Sequence, residues 1–290
     1  MVNETEPTAD ATGTLEEPAV PAHDPTTTPP HHPTTPPPHH PTTPPFEILY
    51  EDYHLLAVNK PAPMLTQAPP AVPSLEAAVK AYIKDKHAKA GGVYLGIPHR
   101  LDRPVSGVVV FARNTKAARR VHAQFQERLV HKIYWAAVEG EVTPESGTWE
   151  DWVRKVAAEA RTVRAVEGEP GAKLAVLEYR VLRRLPGGHT LVEFAPRTGR
   201  MHQLRVQAAW RGHPVFGDAA YDSPRAFGPP AELPRDRVVA LHARRLTLAH
   251  PTTKLPLTLE APLPGYWTPI LGDAGFSSPS PLEGEGGGEP

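Results

Sequence analysis

Two short segments of this chain carry reactive side chains at close spacing. The first, His99-Arg100-Leu101-Asp102-Arg103-Pro104-Val105-Ser106-Gly107, sets two guanidinium groups beside one carboxylate just before an apolar run. The second, Arg197-Thr198-Gly199-Arg200-Met201-His202-Gln203-Leu204-Arg205, opens as a turn and enters a helix, with His202 and Arg205 at i and i+3 on one face. Taken alone, the first also reads as a surface ion-pair turn. The chain has no cysteine, which excludes disulfides, thiolate metal sites and thiol nucleophiles and leaves the chemistry to carboxylates, His, Lys, Tyr and hydroxyls. A carboxylate kept ionised by arginine serves as a nucleophile. Hydrolysis at a sugar carbon needs a second carboxylate across the bond, and the obvious candidate, Asp218 in Gly217-Asp218, reads as structural.

The elements that must position these groups form one continuous α+β pattern. Phe46–Tyr50 and His54–Asn59 read as short strands, and Pro61–Pro73 as a rigid loop with five prolines. Ser74 caps a helix whose apolar residues fall at Leu75, Ala78, Val79, Tyr82 and Ile83. Val108–Ala112 is a buried strand, and Thr115–Leu129 a basic helix with Lys116, Arg119, Arg120 and Arg128. The exposed side of that helix is either a phosphate-binding face or a solvated one. Strands follow at Lys132–Val138, Leu174–Leu182 and Thr190–Phe194, with a hairpin of Arg245–Ala249 and Leu255–Glu260. Met201–Trp210 is helical and stops at Gly212. Runs of strands with few helices argue against a doubly wound parallel sheet.

Two tails flank this core. Residues 1–45 hold 13 of the 37 prolines and an echo of His-Pro-Thr-Thr every eight residues, a composition that buries too little to order itself. Residues 266–290 read as a second disordered tail rich in Gly, Pro and Glu. Together the tails hold ten of the 32 acidic groups and none of the 31 basic ones, so residues 46–265 carry a net charge of +9 despite −1 overall. That balance favours a polyanionic partner. No apolar run reaches the roughly 18 residues of a membrane helix and no signal-peptide core is present, so no membrane contact and a cytoplasmic address are expected.

The motifs then converge on a resemblance. His99–Gly107 is similar to H-R-L-D-x-x-x-S-G, and Gly199–Val206 to G-R-x-H-Q-[IL]-R-V, of the RluA-like class of ribosomal large subunit and transfer RNA pseudouridine synthases. The likeness continues at Glu51-Asp52, Asn59-Lys60-Pro61, Lys132–Ala136, Gly212-His213-Pro214 with Gly217-Asp218, Leu241-His242-Ala243, His250-Pro251 and Ala261-Pro262-Leu263, over nearly all of residues 46–265.

The resemblance implies a mixed, mostly antiparallel central sheet with flanking helices and an active-site cleft. It also implies a cofactor-free, metal-free isomerase that acts on ribosomal or transfer RNA, expected to be a monomer. By position, Asp102 is the nucleophile, Tyr134 lies against the target base and Arg205 partners the carboxylate. Arg100 holds the nucleotide open, and His99, Arg103, Lys60, Arg200 and His202 are expected to contact RNA. The chain departs from the pattern at Val105, often Thr, and at Pro63, usually Gly; both bear on the loop expected to grip RNA. A non-catalytic RNA-binding protein on the same fold needs the basic core but not the Asp102 and Arg205 pair.

Overall fold

The structure is a computed structural model that describes residues 43–156 and 159–272. Most of both expected tails, residues 1–42 and 273–290, lies outside the described residues. The domain boundary expected at 265 is too early. Trp267 is 1% exposed against Phe227 and His242, and a short helix, Thr268–Leu271, follows it.

Ten strands form one sheet: β1 (Glu47–Glu51), β2 (Leu55–Lys60), β3 (Ser106–Ala112), β4 (His131–Glu139), β5 (Ser146–Val156), β6 (Arg161–Ala165), β7 (Lys173–Leu185), β8 (His189–Pro196), β9 (Leu241–Ala249) and β10 (Pro256–Glu260). Their order is β1-β2-β3-β9-β4-β8-β7-β5-β6, with β10 also paired to β9. Among the described residues every pairing is antiparallel except β3 with β9. This is the mixed, mostly antiparallel sheet flanked by helices that the motifs implied.

Alternation along β2 and β3 sorts side chains to two faces. Leu56, Val58, Val109 and Phe111 join the larger core on one face; Leu55, Ala57, Val108, Val110 and Ala112 join a second core on the other. Helix α1 (Leu75–Lys86) adds Leu75, Val79 and Ile83 to the first, and its cap Ser74 Oγ accepts from Ala77 N at 3.3 Å. Helix α2 (Thr115–Gln126) adds Ala117 and Val121 to the second. It ends three residues before the expected Leu129, because Arg128 turns into the left-handed region.

Strand β5 and the edge strand β6 carry no alternating apolar signal. In β5 the buried apolar residues, Trp149 and Val153, are four apart. Asp151 stands between them, its carboxylate taken at 2.7 Å by Gln207 of helix α3 (Gln203–Trp210) and at 2.8 Å by Arg211, which caps the helix end.

Registry across the sheet centre sets up the site. Gly107 of β3 lies opposite Ala243 of β9, which lies opposite Tyr134 of β4. Gly107 has φ +117°, and a Cβ there would sit 2.3 Å from the Ala243 carbonyl oxygen, so only glycine permits the approach. Past Gly107, β9 leaves β3 and the 96–99 segment replaces it. Gly96 exchanges two hydrogen bonds with Ala112, and His99 Nε2 accepts from Val110 N at 3.0 Å.

Candidate active site

A cleft of about 860 Å³ opens between the 99–102 segment, the end of α2, β4 and the loop from β8 into α3. Asp102, Tyr134 and Arg205, distant in sequence, all line it.

The backbone that carries Asp102 is held from beneath. Lys60 is wholly buried and donates from Nζ to the carbonyls of Met64 (2.7 Å), Pro61 (3.1 Å) and Arg103 (3.3 Å). Thr66 Oγ1 donates to Leu101 O at 2.9 Å and accepts from Leu101 N at 3.1 Å, while Met64 N donates to Arg103 O. Burial pushes the Lys60 ammonium down to about 7, opposed by the charge of Asp102.

The Asp102 side chain is held from beside. Arg205 Nη1 donates to Asp102 Oδ2 at 3.2 Å, while its Nε and Nη2 grip Asp218 Oδ2 and Oδ1 at 2.6 and 2.8 Å. Arg205 and Asp218 are buried, and the carboxylates keep the guanidinium charged against the desolvation that opposes it. Gly217 makes the inward turn of Asp218 possible: its φ is +79°, and a Cβ would meet Val238 O at 2.6 Å. His202 caps α3 at φ 52°, a strained conformation for a residue with a Cβ. That backbone brings Nε2 to 3.7 Å from Asp102 Oδ2 and Nδ1 to 3.0 Å from the Tyr221 hydroxyl. Burial is the largest influence on His202 and lowers its pKa.

Asp102 Oδ1 accepts no hydrogen bond from the described residues. Tyr134 stands half-buried across the cleft, and burial, then the Asp102 charge, raises its pKa, so the phenol stays protonated. Six basic side chains line the cleft (Arg100, Arg128, Lys132, Arg197, Arg200 and Arg205) against two carboxylates, Asp102 and Glu178. Such a field attracts phosphates.

Several expected RNA contacts sit elsewhere. Lys60 cannot reach a ligand, since all its donors are spent on the loop beneath Asp102. Arg103 is absent from the cleft lining and pairs with Asp236 at 2.8 Å. His99 borders the cleft, but burial lowers it to about 3 and its ring is stacked on Phe125 with Nε2 engaged by Val110 N; it is a scaffold residue. Val105 is 2% exposed within the main core, and the Pro63 loop abuts the Asp102 segment, so neither departure from the motif lines a free RNA-gripping loop. Arg100, Arg200 and His202 do line the cleft. Sequence reasoning missed the partnership of Asp218 with Arg205 and the hydroxyl of Tyr221. The available signal was a Gly-Asp turn followed three residues later by a tyrosine. Among the described residues no group of three or more His, Asp or Glu is placed to hold a metal ion, and no helix is long and apolar enough to cross a membrane.

Asp218 also bears on hydrolysis. Its carboxylate is 1% exposed and doubly bonded to Arg205, so it is no second carboxylate across a sugar bond.

The cleft sets the Asp102 carboxylate against Arg205 within a lining that is mostly cationic, and comparison with known proteins gives the family. The family model described as RNA pseudouridylate synthase matches residues 54–210, and the chain belongs to that family, in its RluA-like branch. The chain is 34% identical over 227 residues to an uncharacterized RNA pseudouridine synthase of Synechocystis sp., covering 78% of this chain and 68% of that one. It is 36% identical over 220 residues to the dual-specificity RNA pseudouridine synthase RluA of Haemophilus influenzae, covering 74% and 92%. Among solved structures, human RNA pseudouridylate synthase domain containing 4 superposes with a TM-score of 0.62 at 26% identity, covering 77% of this chain and 90% of that one. The protein is an isomerase of the RNA pseudouridine synthase class.

Proposed function

We propose that this enzyme converts uridine to pseudouridine within ribosomal or transfer RNA, with Asp102 as the group that reacts at the ribose and with no cofactor. The observation that carries the reading is the state of the Asp102 carboxylate. It lies in a cation-lined cleft, bonded through Oδ2 to one arm of Arg205, with Oδ1 left without a hydrogen bond from the described residues. The choice of RNA rests on relatives named as ribosomal large subunit pseudouridine synthase C, in Rickettsia prowazekii, and as dual-specificity RluA.

The isomerisation breaks the N1–C1′ bond, turns the uracil and joins C5 to C1′. It needs no redox change and no group donor. Asp102 either attacks C1′ or removes a proton from C2′. The uracil must leave its stack to enter the cleft, and the ring of Tyr134 offers it a face in return, while Arg100 and Arg200 hold the flanking phosphates. Tyr134, as a protonated phenol, is suited to stacking and to proton donation, not to taking the proton from C5.

The test is Asp102→Asn, which keeps the shape and one acceptor oxygen. Tritium release from RNA carrying 5-tritiated uridine should fall by at least about four orders of magnitude, the scale on which loss of a covalent catalyst acts. RNA binding should persist, and wild-type protein should release no free uracil. Turnover in the Asn variant within about tenfold of wild type, with deamidation excluded, removes Asp102 from the chemistry.

A further inference from the structure

Helix α2 contains no acidic residue, and its exposed side carries Lys116, Arg119 and His122. Neither Lys116 nor Arg119 forms an ion pair or hydrogen bond with any described residue. That sets them apart from the paired arginines elsewhere on the sheet: Arg113 with Glu51, Arg154 with Glu169, Arg180 with Glu193 and Arg245 with Glu260. On α1, by contrast, Lys80 pairs with Glu76 and Lys86 with Glu51, and Lys84 alone of its lysines has no such partner among the described residues.

The helix is also aimed. Its last turn, Phe125 and Gln126, lines the cleft, and Arg128 and Lys132 continue the positive lining beyond it. From Lys116 to Gln126 the helix runs about 15 Å at 1.5 Å per residue, so the basic side leads out of the cleft onto the surface. Its carbonyl end is the end a phosphate avoids, and Arg128 and Lys132 sit there to offset it. The mount is rigid. Gln124 exchanges hydrogen bonds of 2.8 Å with both backbone groups of Ala249, and Arg120 donates to Pro251 O at 2.7 Å. Ala117 and Val121 are locked in the second core.

We propose that the exposed face of α2 is a phosphate rail, which holds the sugar–phosphate backbone of the RNA flanking the modified uridine through Lys116 and Arg119 and passes it to Arg128 at the cleft mouth. The occupant is RNA because the rail is continuous with the cleft in which the uridine is read, and the inference rests on that reading. Contacts of this kind position the strand without reading its sequence.

The experiment compares wild type with the double variant Lys116→Gln/Arg119→Gln. The probes are an unmodified transfer RNA transcript, long enough to leave the cleft, and a pentauridylate that fits within it. For the transcript, the slope of log affinity against log salt should become shallower by about 1.4 to 1.8, the value of two phosphate contacts. Its affinity should fall roughly 25- to 60-fold at 0.1 M salt, the same slope taken over the decade from 1 M, where the electrostatic contribution vanishes. Pentauridylate binding and turnover at saturating RNA should not change, and Lys80→Gln/Lys84→Gln on α1 should leave both probes as in wild type. An unchanged slope for the transcript overturns the rail and makes α2 a solvated face. Equal losses on both probes also overturn it, by assigning the effect to the general field of the cleft. Displacement of the transcript by polyglutamate as readily as by RNA overturns the choice of occupant. Failure of the underlying reading looks different: wild-type protein would then form no pseudouridine in any RNA, whatever the slope.

Discussion

Asp102 is held by two buried cations that do opposite work. Lys60, beneath the loop, grips three backbone carbonyls and no carboxylate; Arg205, beside it, lies between two carboxylates and touches no carbonyl of the loop. The first fixes where the loop is, the second fixes the direction of the Asp102 side chain. Residue type follows from partner. Carbonyl oxygens accept from an ammonium or from a neutral amine, so a lysine there can lose its proton and still donate two of its three hydrogen bonds. A guanidinium stays charged and fits a carboxylate in a two-pronged grip, as Asp218 provides. Because Asp218 takes two arms, only one reaches Asp102.

The largest break in this arrangement is Arg205→Ala. It leaves Asp218 buried with no counter-charge, and loss of one member of such a pair costs roughly 3–5 kcal/mol. Denaturant unfolding should register that loss, with turnover falling along with it. The companion Arg205→Ala/Asp218→Ala should recover part of the stability, because the uncompensated carboxylate is gone, but none of the turnover. Recovery of turnover in the double variant would show that Arg205 serves only the fold.

Lys60→Met should cost less, about 1–3 kcal/mol near neutral pH, since carbonyls lose donors while a buried cation is also removed. Its signature is the dependence on pH. The folded pKa lies near 7 and the ordinary value near 10.5. Between these limits the unfolded chain binds a proton at Lys60 that the folded protein does not. Wild-type stability therefore gains a rising contribution from pH 7 towards pH 10.5, with a slope of at most about 1.4 kcal/mol per pH unit. Below pH 7 the protonated, buried ammonium persists as a cost. Urea midpoints measured from pH 6 to 10 should converge least at high pH, with Lys60→Met lacking the rise. Parallel profiles would mean that Lys60 stays charged in the fold.

The two anchors differ in how far they could be read from sequence. The resemblance puts Arg205 beside Asp102, and the two are in contact; His202, expected on the same helical face, instead precedes α3 in a left-handed conformation and approaches Asp102 from the cap. Lys60 belonged to a motif too, but a lysine between Asn59 and Pro61 looks like a surface cation available to RNA. Only the path of the Pro61–Thr66 loop under residues 101–103 reveals that its donors are used up. The sheet shows the same division. Strands with apolar alternation or continuous apolar runs, such as β2 and β3, were legible to within a residue or two. β5 and β6 were not, since a polar inward residue such as Asp151 is satisfied only by α3, more than 50 positions away. The composition around Trp267 reads as a tail, yet the side chain packs into the core. Local composition does not report a single long-range anchor.

The smallest expected effect sharpens the contrast, because it concerns the residue next to Asp102. Arg103 contributes its carbonyl to Lys60 and to Met64 N, while its guanidinium turns away to Asp236. Both partners of that pair are more than a third exposed in their side chains, at 34% and 39%. An ion pair of this exposure is worth about 0–1 kcal/mol. Arg103→Ala keeps the carbonyl, so the grip of Lys60 on the loop survives and stability should change by no more than about 1 kcal/mol on the same basis. Turnover should stay within a few fold of wild type, and the salt slope for RNA binding should not move, because no phosphate contact is lost. The contrast with Arg205→Ala is the point of the measurement: two arginines, one adjacent to Asp102 in sequence and one 103 positions away, with the distant one controlling the site. A drop in the RNA salt slope of about 0.7 to 0.9 for Arg103→Ala would show that the side chain leaves Asp236 for a phosphate when RNA binds, and would return Arg103 to the RNA-contacting set.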